Sequence, residues 1–134
     1  MIPIFQNEFG KKGNCFQACI ASLFELRLDK VPNFCQDYPI EWYNEFNKWL
    51  SQYNLVSVMI DYNTTDLHAR QAMKDSYLLV GGRSVTGLMH QVIYKDWKMC
   101  HDPHPRSGGI IGQPIDITLL VVKDPMKGSY EIQS

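Results

Sequence analysis

The sequence has no apolar run approaching the roughly 18 residues that a membrane-spanning helix needs, so no membrane partner is expected. Neither sign of charge dominates: the formal net charge is −1, which excludes a partner held by charge alone, nucleic acid above all. There is no Cys-x-x-Cys pair. Cys15-x3-Cys19 with His101-x2-His104 matches the number of ligands a zinc ion takes, but helical periodicity turns Cys19 away from Cys15, so neither a metal nor a cofactor is expected. Internal repeats and low-complexity segments are missing as well. The opening Met1-Ile2-Pro3-Ile4-Phe5-Gln6 is too short and uncharged to read as a secretory signal. The expected compartment is therefore a reducing cytoplasm, with the four cysteines present as thiols.

What is present suits a single globular unit. At 134 residues, of which 45% are apolar, the chain can bury one substantial core, and a single domain over 1–134 is expected. The stretch Gly13-Asn14-Cys15-Phe16-Gln17-Ala18-Cys19-Ile20-Ala21-Ser22-Leu23-Phe24 organises it. Glycine and asparagine turn and cap a chain, and apolar residues then recur at 16, 19, 20, 23 and 24, the spacing of a helix packed on a core. Cys15 falls at the start of that helix, where unpaired N–H groups and a partial positive charge favour an anionic sulfur. Cys19 lies inside the apolar stripe as a small hydrophobe.

Residues 1–13 read as an irregular arm. The first helix is expected to stop near Leu26 to Leu28, ahead of Val31-Pro32. A second helix fits residues 40–53, where Trp42, Phe46, Trp49, Leu50 and Tyr53 form an aromatic stripe that reads as core. Leu55 to Ile60 reads as a strand. Thr64 or Thr65 with Asp66 caps a short helix through Met73, and Tyr77 to Val80 is a strand ended by Gly81-Gly82. Leu88 to Tyr94 and Lys98 to His101 form a hairpin; after a Pro/Gly-rich loop, Ile115 to Lys123 is the last strand. Helices first and antiparallel strands later predict an α+β domain, helices packed on the sheet.

A nucleophilic cysteine needs a histidine and a group that fixes its ring. His68 reads as a solvated helix residue, and His104 sits between prolines in the irregular loop. His90 opens a strand and Asp102 ends its partner. A three-residue turn, Lys95 to Trp97, sets the two directly opposite on one face, with Nδ1–H on the carboxylate, whereas a two-residue turn sets them on opposite faces. His101 points away from Asp102 by strand alternation. Cys35 and Cys100 have no role that the sequence argues.

Taken together, the Gly13 to Leu23 segment, Gly82-Arg83-Ser84 through His90-Gln91-Val92-Ile93-Tyr94, and His101-Asp102-Pro103-His104-Pro105 resemble a family of small phage and bacterial proteins. That family is similar to papain-like cysteine peptidases, especially those of the C39 type that trim bacteriocin leaders. The resemblance implies a papain-like fold with Cys15 as nucleophile, His90 as its acid–base partner and Asp102 as orienter. It also implies a glutamine that donates to the oxyanion. Gln6 is the candidate at a longer spacing than is usual, the other reading being a solvated residue of the arm. The expected activity is hydrolysis of a peptide, isopeptide or other amide bond through an acyl-enzyme. The substrate would lie against Asn14, Ser84, Gly87, Leu88 and His104. The competing reading is a non-catalytic binding protein on the same scaffold, which captures a host protein through aromatics such as Trp97 and Tyr38.

Overall fold

The computed structural model describes residues 1–127, so residues 128–134 of the expected domain lie outside the described residues. Four α-helices, α1 (Cys15–Phe24), α2 (Phe34–Asp37), α3 (Trp42–Ser51) and α4 (Leu67–Ala72), accompany five strands. The strands are β1 (Leu55–Asp61), β2 (Tyr77–Arg83), β3 (Met89–Lys95), β4 (Lys98–His101) and β5 (Ile111–Val122). They form one antiparallel sheet in the order β1-β5-β2-β3-β4. The architecture is mixed α+β, and no helix among the described residues is long and apolar enough to cross a membrane.

The helix α1 begins at Cys15, and its apolar stripe lies on the sheet: Phe16, Cys19, Ile20 and Phe24 are buried with Leu79 of β2 and Ile93 of β3. It ends before the expected Leu26, because Glu25 adopts a left-handed conformation (φ 56°) and the Leu26 N–H closes on Ala21 O at 3.0 Å. The aromatic stripe of α3 completes the core. Phe46 is fully buried, edge-on to Phe16 at 4.9 Å and to Phe34 of α2 at 5.3 Å. The opposite face of the sheet buries Leu78, Val80, Val92 and Ile117 beside Trp97 and Met73. There α4 is capped by Asp66, whose carboxylate accepts from the Ala69 N–H at 2.8 Å. Trp97 is engaged within the fold. Its indole N–H donates to Arg70 O at 2.8 Å, and the Arg70 guanidinium lies 4.8 Å from its ring centroid and 4.9 Å from that of Tyr62.

Two departures from the sequence reading bear on function. Gly81-Gly82 do not end β2, which runs on to Arg83; a side chain at Gly81 would collide with Asp116 and Gln91 on the strands either side. The β3–β4 turn has two residues, not three: Asp96 and Trp97 both have positive φ (53° and 60°), as a type I′ turn requires. That turn alone would put His90 and Asp102 on opposite faces. The register then shifts, from Tyr94↔Met99 to Ile93↔His101, which leaves Cys100 as an extra residue. The bulge restores the parity that the shorter turn removes.

Because Phe46 joins α1, α2 and α3 in one aromatic cluster, Phe46→Ala is expected to cost about 3–5 kcal/mol, read as a lowered denaturation midpoint in urea.

Candidate active site

The site is assembled where the N-terminal arm, the start of α1 and the open end of the β3–β4 hairpin meet. The arm is held along its length. Ile4 N–H donates to Ser22 Oγ (2.9 Å), the His101 Nε2–H donates to Ile4 O (2.8 Å), and Gln6 N–H donates to Pro103 O (2.9 Å). Asn14 is the buckle. Its Oδ1 accepts from the N–H groups of Asn7 (3.1 Å) and Glu8 (3.0 Å), and its Nδ2 donates to Asn7 Oδ1 (2.8 Å) and Gln17 Oε1 (3.1 Å). It precedes α1 without capping it through its side chain, and those polar atoms are committed to the chain itself. Asn14 therefore borders the cleft as a structural residue rather than a free hydrogen-bonding group.

Asp102 is buried and accepts three hydrogen bonds. Its Oδ1 takes His90 Nε2–H at 2.7 Å and His104 N–H at 2.9 Å, and its Oδ2 takes Gly109 N–H at 2.7 Å. Burial alone pushes its carboxyl up, but the bonds from His90, His104 and Gly109 outweigh that and hold it below the ordinary carboxylate value. The nitrogen facing the carboxylate is Nε2 and not the expected Nδ1. Asp102 lies just past the last residue of β4, so the far side of the ring reaches it. Since a carboxylate only accepts, Nε2 carries a proton, and Nδ1 is the nitrogen left for Cys15. Burial of His90 works against its charged form, but hydrogen bonding to Cys15 and to Asp102 prevails and raises it above the ordinary histidine value.

Cys15, half-buried at the mouth of α1, opens with His90 and Asp102 onto one cleft of about 710 Å³. Gln6 also lines it and is buried rather than solvated, at 7% exposure. One of its amide hydrogens goes to Glu8 O (2.9 Å), and its Oε1 is buried with no hydrogen-bond partner among the described residues. Ser84, Leu88 and His104 are on the cleft wall. Gly87 is not, but its positive φ (82°) turns the loop that carries Ser84 and Leu88, closed by Gly87 N–H to Ser84 O (2.9 Å). The His104 ring stands 6.4 Å from that of His90. A second recess of about 700 Å³, which Asn14 also borders, is lined by polar residues and Leu28 and contains no cysteine or histidine.

Cys19, His68 and His101 are placed outside this cleft. Cys19 is fully buried, its thiol against Gln91 O at 3.5 Å, and burial raises it well above the ordinary thiol value. Cys19 and His101 thus point into separate surroundings, and among the described residues no group of three or more His, Cys, Asp or Glu side chains could hold a metal ion. His68 is exposed. Among the cleft residues that the sequence reading missed are Cys35, Trp42, Met59 and Asp116. Burial, and then the neighbouring Cys15, push the Cys35 thiol up to about 11. Asp116 had a legible signal, since alternation puts it on the same face of β5 as Thr118 and Leu120, an odd place for a carboxylate. No family model matches the chain, nor does any curated protein or solved structure.

The His90–Asp102 pair fixes a pH dependence. A depressed carboxyl stabilises the fold above its ordinary value of 3.8 and loses that contribution as pH falls through the folded value. A raised histidine stabilises it below the ordinary 6.5 and loses that contribution as pH rises through the folded value. The pair therefore contributes most between those limits. Asp102→Asn should flatten this dependence in urea denaturation and lower the His90 midpoint in an NMR titration of the ring.

Proposed function

We propose that this protein is a cysteine hydrolase of papain-like type, acting on a peptide, isopeptide or related amide bond. The observation that carries the reading is the His90 imidazole hydrogen-bonded through Nε2 to the Asp102 carboxylate at 2.7 Å, in the same cleft as Cys15 at the mouth of α1. Sulfur, imidazole and carboxylate in that order are the parts a nucleophilic mechanism needs.

Cys15 Sγ attacks the substrate carbonyl carbon as its proton passes to His90, and the carbonyl electrons move onto the oxygen. The Cys15 N–H lies in the first turn of α1 with no intrahelical partner, and the second Nε2–H of Gln6 is its companion donor to that oxyanion. A side-chain donor of this kind is worth roughly 3 kcal/mol of barrier. Collapse of the intermediate breaks the C–N bond as His90 protonates the departing amine. Water then gives a proton to His90 and attacks the thioester, and breaking of the C–S bond returns the thiol. Asp102 keeps the ring oriented and offsets its charge throughout. Ser84, Leu88 and His104 flank the substrate. Since the nucleophile must remain a thiol, a reducing compartment suits this chemistry.

Iodoacetamide at neutral pH tests this. Cys15 should be alkylated first of the four cysteines, by peptide mass mapping, and His90→Ala should slow it roughly tenfold or more. Exposed Cys100 is the internal reference. A Cys15 rate no faster than that of Cys100 and indifferent to His90→Ala overturns the reading.

A further inference from the structure

Beyond Cys15 the cleft reaches a second carboxylate that the proposed chemistry does not use. On the helix-covered face of the sheet, Asp61, Asp116, Gly81 and Gln91 stand in one row across β1, β5, β2 and β3. Gly81 has no side chain at the middle of this row, and the Asp116 carboxylate and the Gln91 amide close over its bare backbone, where any Cβ would collide with both. The carboxylate of Asp116 belongs to the cleft wall together with Phe16, Trp42 and Met59. Its Oδ1 is buried and has no hydrogen-bond partner among the described residues.

This arrangement is costly in the free protein. Like charges directly opposite on neighbouring strands repel, and Asp61 faces Asp116 in register. Burial first, then Asp61, push the Asp116 carboxyl above its ordinary value, against one backbone hydrogen bond from Gly81. The cleft's own cations, Lys11 and Arg106, form no ion pair with it among the described residues. A carboxylate whose buried Oδ1 has no hydrogen-bond partner among the described residues, beside an apolar wall, is complementary to a cationic head on a methylene stem. The stem would pack on Met59 and Phe16, and the Trp42 ring would favour the charge.

Resting on the cysteine-hydrolase reading, we propose that Asp116 determines specificity: it receives the amine or guanidinium of a lysine- or arginine-like side chain close to the bond that Cys15 attacks. Gln91 supplies a neutral amide beside it.

The probes are N-acetyl dipeptidyl acyloxymethyl ketones, which alkylate Cys15: its sulfur attacks the methylene carbon and the carboxylate leaves. They carry lysine, norleucine or glutamate at one of the two residues before the ketone. In the native protein the lysine probe should inactivate about tenfold faster than its norleucine counterpart at one of those positions, the glutamate probe being slowest. In Asp116→Asn and in Asp116→Ser the lysine-to-norleucine ratio should fall to within about twofold. The ratio is taken within each protein, so any general change in thiol reactivity cancels. Equal rates in the native protein at both positions, or a lysine preference that survives both variants, overturn the assignment. If iodoacetamide still labels Cys15 in a His90-dependent way, the hydrolase reading stands without it. If that labelling is slow and indifferent to His90, both fall together.

Discussion

A buried carboxylate needs donors, and the region around Cys15 follows from how Asp102 obtains them. One comes from the His90 ring and two from backbone N–H groups of the segment just after it, at His104 and Gly109. Those last two bonds fold residues 103–109 back over the hairpin end and so build one wall of the cleft. The same carboxylate thus sets the histidine tautomer, opposes the cost of burying the ring and shapes the surface beside it. An ionised group inside a protein is tolerated when it is fully hydrogen-bonded, and the two oxygens of Asp102 share three donors.

The other half of the site is held by the N-terminal arm. A segment that reads as irregular and polar is pinned by Ser22, His101 and Asn14, side chains from α1, the end of β4 and the turn before the helix. This explains why Asn14, plausible in a catalytic constellation by type, has no free side-chain polar atom to offer, and why the His101 ring is turned to the arm instead of the cleft. It also explains the burial of Gln6, which the arm carries over the mouth of α1. Positioning residues and reacting residues are interleaved along the chain, and only their partners tell them apart.

How much of this was legible depends on the range of the interactions involved. The start of α1, the aromatic stripe of α3 and the burial of Cys19 follow from local periodicity, and they stand as read. His90 and Asp102 were legible as a pair, but for an incomplete reason: the turn is one residue shorter than read, and the bulge at Cys100 compensates. Such a bulge depends on pairing across strands and leaves no local mark. Gly81-Gly82 looked like a strand end because glycine usually weakens strands, whereas here bare backbone is needed between Asp116 and Gln91. Asp116 itself was passed over as one polar residue in an apolar run.

The β3–β4 hairpin carries a consequence for how its length can vary through descent. Side chains alternate with a period of two, so an insertion or deletion of a single residue between His90 and Asp102 moves one of them through the sheet to the other side. Two such changes together, or a change of two, bring them back. The tip of this hairpin is therefore quantised in length, and any lineage that reshapes it while keeping the imidazole on its carboxylate must do so in even steps.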